Sequence, residues 1–217
     1  DELPNAKNVS LIVSWFGTDL RAGHCAIRPG VDIAEKTTEP FTWRAGGAMR
    51  AQAHLISTHD SAAAYGGTPA DRTVVDAIRD LKQRGIGVTL TPFLLMDVPD
   101  GNALANPYGG ASQPACPWRG RITCHPAPGQ PGSPDKTATA ATQIAAFVGT
   151  AEAADFDISG RTVSYSGPSE WSYRRMVLHL AHLAKAGGGV DTFVIGTELR
   201  GLTWVRDGEG SYPFVAA

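Results

Sequence analysis

The feature that most constrains this chain lies between residues 68 and 95, where a helix signal runs into a strand signal with almost nothing between them. Thr68 stands where an N-cap hydroxyl belongs, Pro69 at the first helical position and Asp71 in the first turn, and Gly85 closes the pattern. Val74, Val75, Ile78 and Leu81 recur at the spacing of one helix face. The apolar run at 86–95 (IGVTLTPFLL) follows at once. A helix joined to a strand this tightly is the αβ junction of a parallel α/β unit.

Further elements fit the same plan. Residues 9–16 (VSLIVSWF) form a short apolar run bounded by polar residues and Gly17, which predicts a buried strand. Residues 49–57 (MRAQAHLIS) alternate loosely before a turn-rich stretch and read as a second strand. After a Gly/Pro-rich stretch at 99–134, Ser133 and Pro134 repeat the cap-then-proline signature ahead of an alanine-rich helix that ends at Gly149. FDISGRTVSYSG reads as a hairpin. A third helix runs from about residue 169 to 186, with Tyr173, Met176, Val177, Leu180, Leu183 and Ala184 on one face. Residues 190–197 (VDTFVIGT) have the composition of a strand covered on both faces and deliver Glu198 at its carboxyl end.

Four strands with helices between the later ones leave two architectures. One is an open α/β sheet; the other, preferred here, is a (β/α)8 TIM barrel of which this chain supplies roughly the first four βα units, since a full barrel takes about 250 residues. On that reading residues 1–217 are a single domain, and 99–134 are a long loop after the third strand.

Composition narrows the function classes. With 42% hydrophobic and 18% charged residues the chain is globular, and a net charge of −2 supplies no basic footprint for nucleic acid. No apolar run approaches the roughly 18 residues needed to cross a bilayer, and the polar DELPNAKN start is unlike a signal peptide, so no membrane insertion is expected. Cys116 and Cys124 flank a short loop and either bridge or, with Cys25, remain ordinary thiols. His179 and His182 sit three apart on a helix without a further ligand, and YGGTP lacks the lysine of a phosphate-binding loop. Neither a metal nor a cofactor is expected.

In parallel α/β folds the residues just past the strand ends converge on one face. Here they are Trp15 and Asp19, then His59, Asp60 and Tyr65, then Asp97, then Glu198 and Arg200, with Trp118, Arg119 and Arg121 from the long loop. Flat rings, arginines and carboxylates suit a sugar: rings stack on its apolar faces and carboxylates grip hydroxyls. Trp15, Asp19, Asp60, Tyr65, Asp97, Trp118, Arg119 and Arg200 form the candidate binding set. Glu198, on a rigid strand end, is the candidate general acid, with an ion pair to Arg200 or Arg119 as the plainer alternative.

Two resemblances bear on these residues. The run WSYRRMVLHLAHLAKAGGGVDTFVIGTELRGL, with PWRGRI at 117–122, resembles the fourth-strand region of retaining barrel glycosidases of the β-mannanase group, which implies that Glu198 is their acid/base residue. Over nearly the whole chain, SWFGTDLRAG, AYGGTPADRTVVDAI, TPFLLMDVPDGN, YGGASQPACPWRGRITCHPAPGQPGSPDKTA and YSGPSEWSYRRMVLH resemble the TIM-barrel-like domain of the large tail protein of gene transfer agents and related phages. That resemblance implies a particle tail component with two kinds of partner, bacterial cell-surface polysaccharide and other tail or baseplate proteins. A retaining mechanism further requires a second carboxylate about 5 to 5.5 Å from the first. In such barrels it comes from a later strand, and within this chain only Asp97, Glu170 or Asp19 stands in reserve.

Overall fold

The computed structural model describes residues 4–217. In chain order its elements are β1 (Asn8–Gly17), β2 (Ile27–Arg28), α1 (Asp71–Gln83), β3 (Gly87–Met96), α2 (Ala138–Val148), β4 (Phe156–Ser159), β5 (Thr162–Tyr165), α3 (Tyr173–Ala186), β6 (Thr192–Phe193), α4 (Arg200–Thr203) and α5 (Pro213–Ala216). The two long apolar runs are direct neighbours: β1 and β3 pair in parallel through ten residues, from Asn8 opposite Gly87 to Gly17 opposite Met96. The short β6 joins the other side of β3 in parallel, and β2 turns back antiparallel on β1, giving the order β6-β3-β1-β2.

This corrects the barrel expectation. The described residues form an open, mixed four-stranded sheet with small separate strand pairs beside it, not a closed (β/α)8 barrel or half of one. The cause lies in residues 49–57. Read as a second strand, they would belong between the runs at 9–16 and 86–95, but those runs hydrogen-bond to each other and leave no place. Instead His54–Leu55 pairs in parallel with Gly30–Val31, and two short antiparallel pairs, Arg44–Ala45 with Ala48–Met49 and Thr58–His59 with Ala62–Ala63, complete the excursion. Glu198 therefore follows the third parallel strand of the sheet rather than a fourth.

One face of the sheet carries the core. Val13 on β1 and Val88, Leu90 and Leu94 on β3 pack with Val74, Val75 and Ile78 of α1 and Met176, Leu180 and Leu183 of α3. Burying each such side chain contributes about 1.5–3 kcal/mol. Alternate residues of a strand point the other way, and there Ile12 is 59% exposed, as an open sheet allows and a packed barrel interior does not.

Local chemistry sets the element ends. α3 begins at Ser172, whose hydroxyl accepts from the Arg175 amide (3.2 Å). It ends against Arg79, whose guanidinium donates to the Ala186 carbonyl at 2.7 Å. Thr68, expected to cap α1, does something else: its hydroxyl accepts from the Gly30 amide (2.9 Å) and donates to the Ser14 carbonyl (2.7 Å), so the helix starts later, after Ala70. All three cysteines are free thiols. No helix among the described residues is long and apolar enough to cross a membrane.

Candidate functional site

β1 and β3 end together, since the Asp97 amide donates to the Gly17 carbonyl at 2.9 Å. β6 runs alongside, with the Val194 amide on the Leu90 carbonyl (2.9 Å), so Asp19, Asp97 and Glu198 all emerge at the carboxyl edge of parallel strands. Their surroundings then separate them.

Asp19 is buried and fully occupied. Its carboxylate accepts from the Arg21 guanidinium (2.6 Å), the Arg21 amide (2.8 Å) and the Gln113 amide group (2.7 Å). Burial pushes its carboxyl up, but the bonds from Arg21 and Gln113 outweigh this and hold it below the usual aspartate value. Asp97 is held in the same way by His54 Nε2 (2.5 Å), the Ser57 amide (2.9 Å) and the Ser57 hydroxyl. Burial again acts upward and the His54 and Ser57 bonds prevail, leaving the carboxyl low. Tyr65 stands beside it, donating to the Met96 carbonyl (3.1 Å) and packing on Phe16. These three residues fasten the loops to the strand ends.

Trp15 is fully buried, with its ring against Trp171 and His179. A sugar cannot reach it. Asp60 lies on the turn of the 58–63 hairpin with its side chain 92% exposed, facing only His59.

Glu198 meets two of the loop residues. Arg119 lies in a 3-10 turn (Arg119–Arg121), nearly buried, with its guanidinium 3.9 Å from the centre of the Phe93 ring. It donates to the Thr197 carbonyl (3.1 Å) and hydroxyl (3.2 Å) and pairs with Glu198 Oε2 at 2.6 Å. The Trp118 indole N–H donates to the same oxygen at 3.1 Å. Glycines make the approach possible. A Cβ at Gly120 would enter the Trp118 ring, one at Gly201 would strike the Ile122 and Gly120 carbonyls, and one at Gly196 would strike the Tyr173 hydroxyl, which donates to the Ile195 carbonyl. Glu198 itself has φ of +56°, a left-handed backbone rare for residues other than glycine.

The result is an exposed triad. Trp118 is 49% exposed and the Glu198 side chain 55%, while Arg119 is clamped beneath. Beside Glu198 opens a cavity of about 520 Å3 floored by Val177, Leu178, Phe214 and Val215. Both hydrogen-bond partners of the Glu198 carboxylate are donors, and both bonds fall on Oε2. Of the reserve carboxylates, Asp19 and Asp97 are engaged as described. Glu170 is turned to the Thr150 and Ala151 amides (3.0 Å each) and the Ser172 hydroxyl (2.6 Å).

Of the sequence-derived set, then, Trp118, Arg119 and Glu198 meet, and Arg200 stands next to them. It stacks on Trp204 at 4.1 Å rather than pairing with Glu198. Sequence reasoning missed Phe93, Thr197 and Trp204. The i, i+4 spacing of Arg200 and Trp204 was the available signal for the last. His179, a metal candidate by spacing, is buried and faces Asp71 at 3.0 Å, and no three metal-binding side chains converge among the described residues.

The fold and site thus define an open α/β sheet with a polar, aromatic cluster at the carboxyl edge of its parallel strands. Residues 171–217, which carry α3, β6, Glu198 and α4, match the family model described as the GTA TIM-barrel-like domain, GTA standing for gene transfer agent. The match supports the resemblance to the TIM-barrel-like domain of gene transfer agents read from the sequence. No curated protein matches the chain.

Proposed function

We propose that this chain is a glycan-recognising module of a gene transfer agent tail, contacting bacterial envelope or capsular polysaccharide through Trp118, Glu198 and Arg119 without cleaving it. The observation that carries this reading is the half-exposed Trp118 ring whose indole N–H is fixed on the Glu198 carboxylate. A ring held still loses little freedom on binding, and a half-exposed indole offers apolar surface to a pyranose. The carboxylate beside it is placed to accept from sugar hydroxyls. Recognition is preferred over hydrolysis because Asp19, Asp97 and Glu170 each spend their oxygens on the protein's own donors, so none of these three is placed to serve Glu198 as the second carboxylate of a retaining mechanism.

The test is calorimetric titration of the chain with purified bacterial surface polysaccharides, alongside an assay for new reducing ends. Trp118→Ala is expected to weaken binding about tenfold or more, as loss of an aromatic anchor does. Glu198→Gln weakens it less. Reducing ends that appear with the unaltered chain and vanish with Glu198→Gln would overturn the non-catalytic reading. Binding unchanged by Trp118→Ala would overturn the site.

A further inference from the structure

Resting on that reading, we infer that the polysaccharide is anionic, and that Arg121 and Arg200 are the residues that select it. Of the arginines around the Trp118–Glu198 cluster, Arg174 lines the cavity beside Glu198 and donates to the Ala217 carbonyl at 3.2 Å, and four others divide into two kinds. Arg119 is neutralised by Glu198, and Arg206 by Asp135 at 2.6 Å. Arg121 and Arg200 are exposed and have no carboxylate partner among the described residues. The nearest acidic residue along the chain after α4, Asp207, turns its carboxylate to the amides of Glu209 (2.9 Å) and Ser211 (2.8 Å) in its own loop.

Both free guanidiniums are nevertheless held in place. Arg121 lies 4.2 Å from the centre of the Tyr108 ring, and the Tyr108 hydroxyl donates back to the Arg121 carbonyl at 3.0 Å. Arg200 lies 4.1 Å from the centre of the Trp204 ring. Stacking occupies the faces of a guanidinium and leaves its edge, where the N–H donors are, free to fork onto a carboxylate, sulfate or phosphate. The segments that carry the two arginines are packed together. Gly201 of α4 sits directly on the carbonyls of Gly120 and Ile122, so the segment carrying Arg200 is packed against the turn carrying Trp118 and Arg121. Glu198, two residues before Arg200, ties both segments together through Trp118 and Arg119. The patch therefore offers rings for sugar faces and two oriented, uncompensated cations for acidic substituents. A neutral glycan uses the first and leaves the second idle.

The experiment measures affinity of the full chain for three polymers: polygalacturonate, which carries carboxylates, dextran sulfate, which carries sulfates, and uncharged dextran. The expected result is binding to at least one acidic polymer about tenfold or more tighter than to dextran, weakening as salt rises from about 50 to about 300 mM. Arg121→Gln and Arg200→Gln should each lower the acidic affinity about fivefold while leaving dextran binding within about twofold, roughly one charge-assisted hydrogen bond apiece. Which acidic polymer prevails separates carboxylate from sulfate recognition. Lys82→Gln, on the exposed end of α1, removes the same unit of charge elsewhere and should have no effect. Equal affinity for all three polymers, unmoved by the arginine variants, overturns the inference and spares the glycan reading. Binding to none overturns both, and a loss as large in Lys82→Gln as in the arginine variants shows attraction by net charge and overturns the assignment to this surface.

Discussion

Replacing Asp97 should reveal how firmly the loop at 54–57 is fixed to the end of β3. The carboxylate is 2% exposed and accepts from His54 Nε2, the Ser57 amide and the Ser57 hydroxyl. Hydrogen bonds to a charged group contribute about 1.5–3 kcal/mol each, and a buried donor left alone costs about 1–3 kcal/mol. The His54 side chain is 20% exposed and can turn to water, so the uncompensated loss in Asp97→Ala falls mainly on the two Ser57 donors and comes to about 3 kcal/mol. Asp97→Asn keeps one carbonyl oxygen for the Ser57 amide and offers its NH2 to the Ser57 oxygen, and should cost about 1 kcal/mol. For a chain of this length the two losses correspond to melting points lower by about 6–12 °C and 2–4 °C. Urea denaturation followed by far-UV circular dichroism, with the slope checked for constancy, measures both. Equal effects of Asn and Ala would show that the hydrogen-bond count is not what matters. A loss under about 1 kcal/mol for Ala would show that Asp97 does not anchor the loop at all.

Two further outcomes concern stability. Asp19, Asp97, Asp135 and Glu170 all titrate below their ordinary values because hydrogen bonds to their charged forms outweigh burial. A depressed folded value contributes stability that is present above the unfolded value and lost as pH falls through the folded one, so the urea midpoint should hold from about pH 7 to 5 and drop below about pH 4. A midpoint flat to about pH 3 would contradict this. Gly149, at φ +81° and ψ −174°, abuts Ser172 Oγ and Glu170 Oε1, so Gly149→Ala should destabilise by about 2–4 kcal/mol in the same assay, and a neutral result would refute the close approach.

What could be read in advance follows from where the physical signal is local. Residues 9–16 and 86–95 are apolar along their length, and β1 and β3 lie there almost to the residue. The hairpin at 156–165 announces itself by alternation about Ser159 and Gly160. Residues 49–57 failed because alternation over so few residues does not say what a strand pairs with, and the parallel contact between β1 and β3 had already taken the place it needed. Cap signals misled for a similar reason. Thr68 and Ser133 have capping hydroxyls, but Thr68 is drawn to Gly30 and Ser14, and Ser133 to the Pro126 carbonyl, so each helix begins later. In the site, PWRGRI and the IGTEL run that carries Glu198 are conspicuous as motifs. That Trp15 faces inward while Trp118 faces outward depends on which side of the sheet the helices cover, which no single strand encodes.

The pairing of β1 with β3 has a consequence for how the molecule comes to be made. Its partners are separated by roughly 80 residues of chain, so bringing them together forfeits about 4 kcal/mol of loop entropy before the first rung is in place. On a ribosome the apolar β1 emerges well ahead of the strand that will cover its edge, and it waits exposed for several seconds at ordinary rates of synthesis. Parallel rungs over such separations form slowly. A chaperone that shelters the first strand during that interval is therefore expected to raise the yield of folded chain.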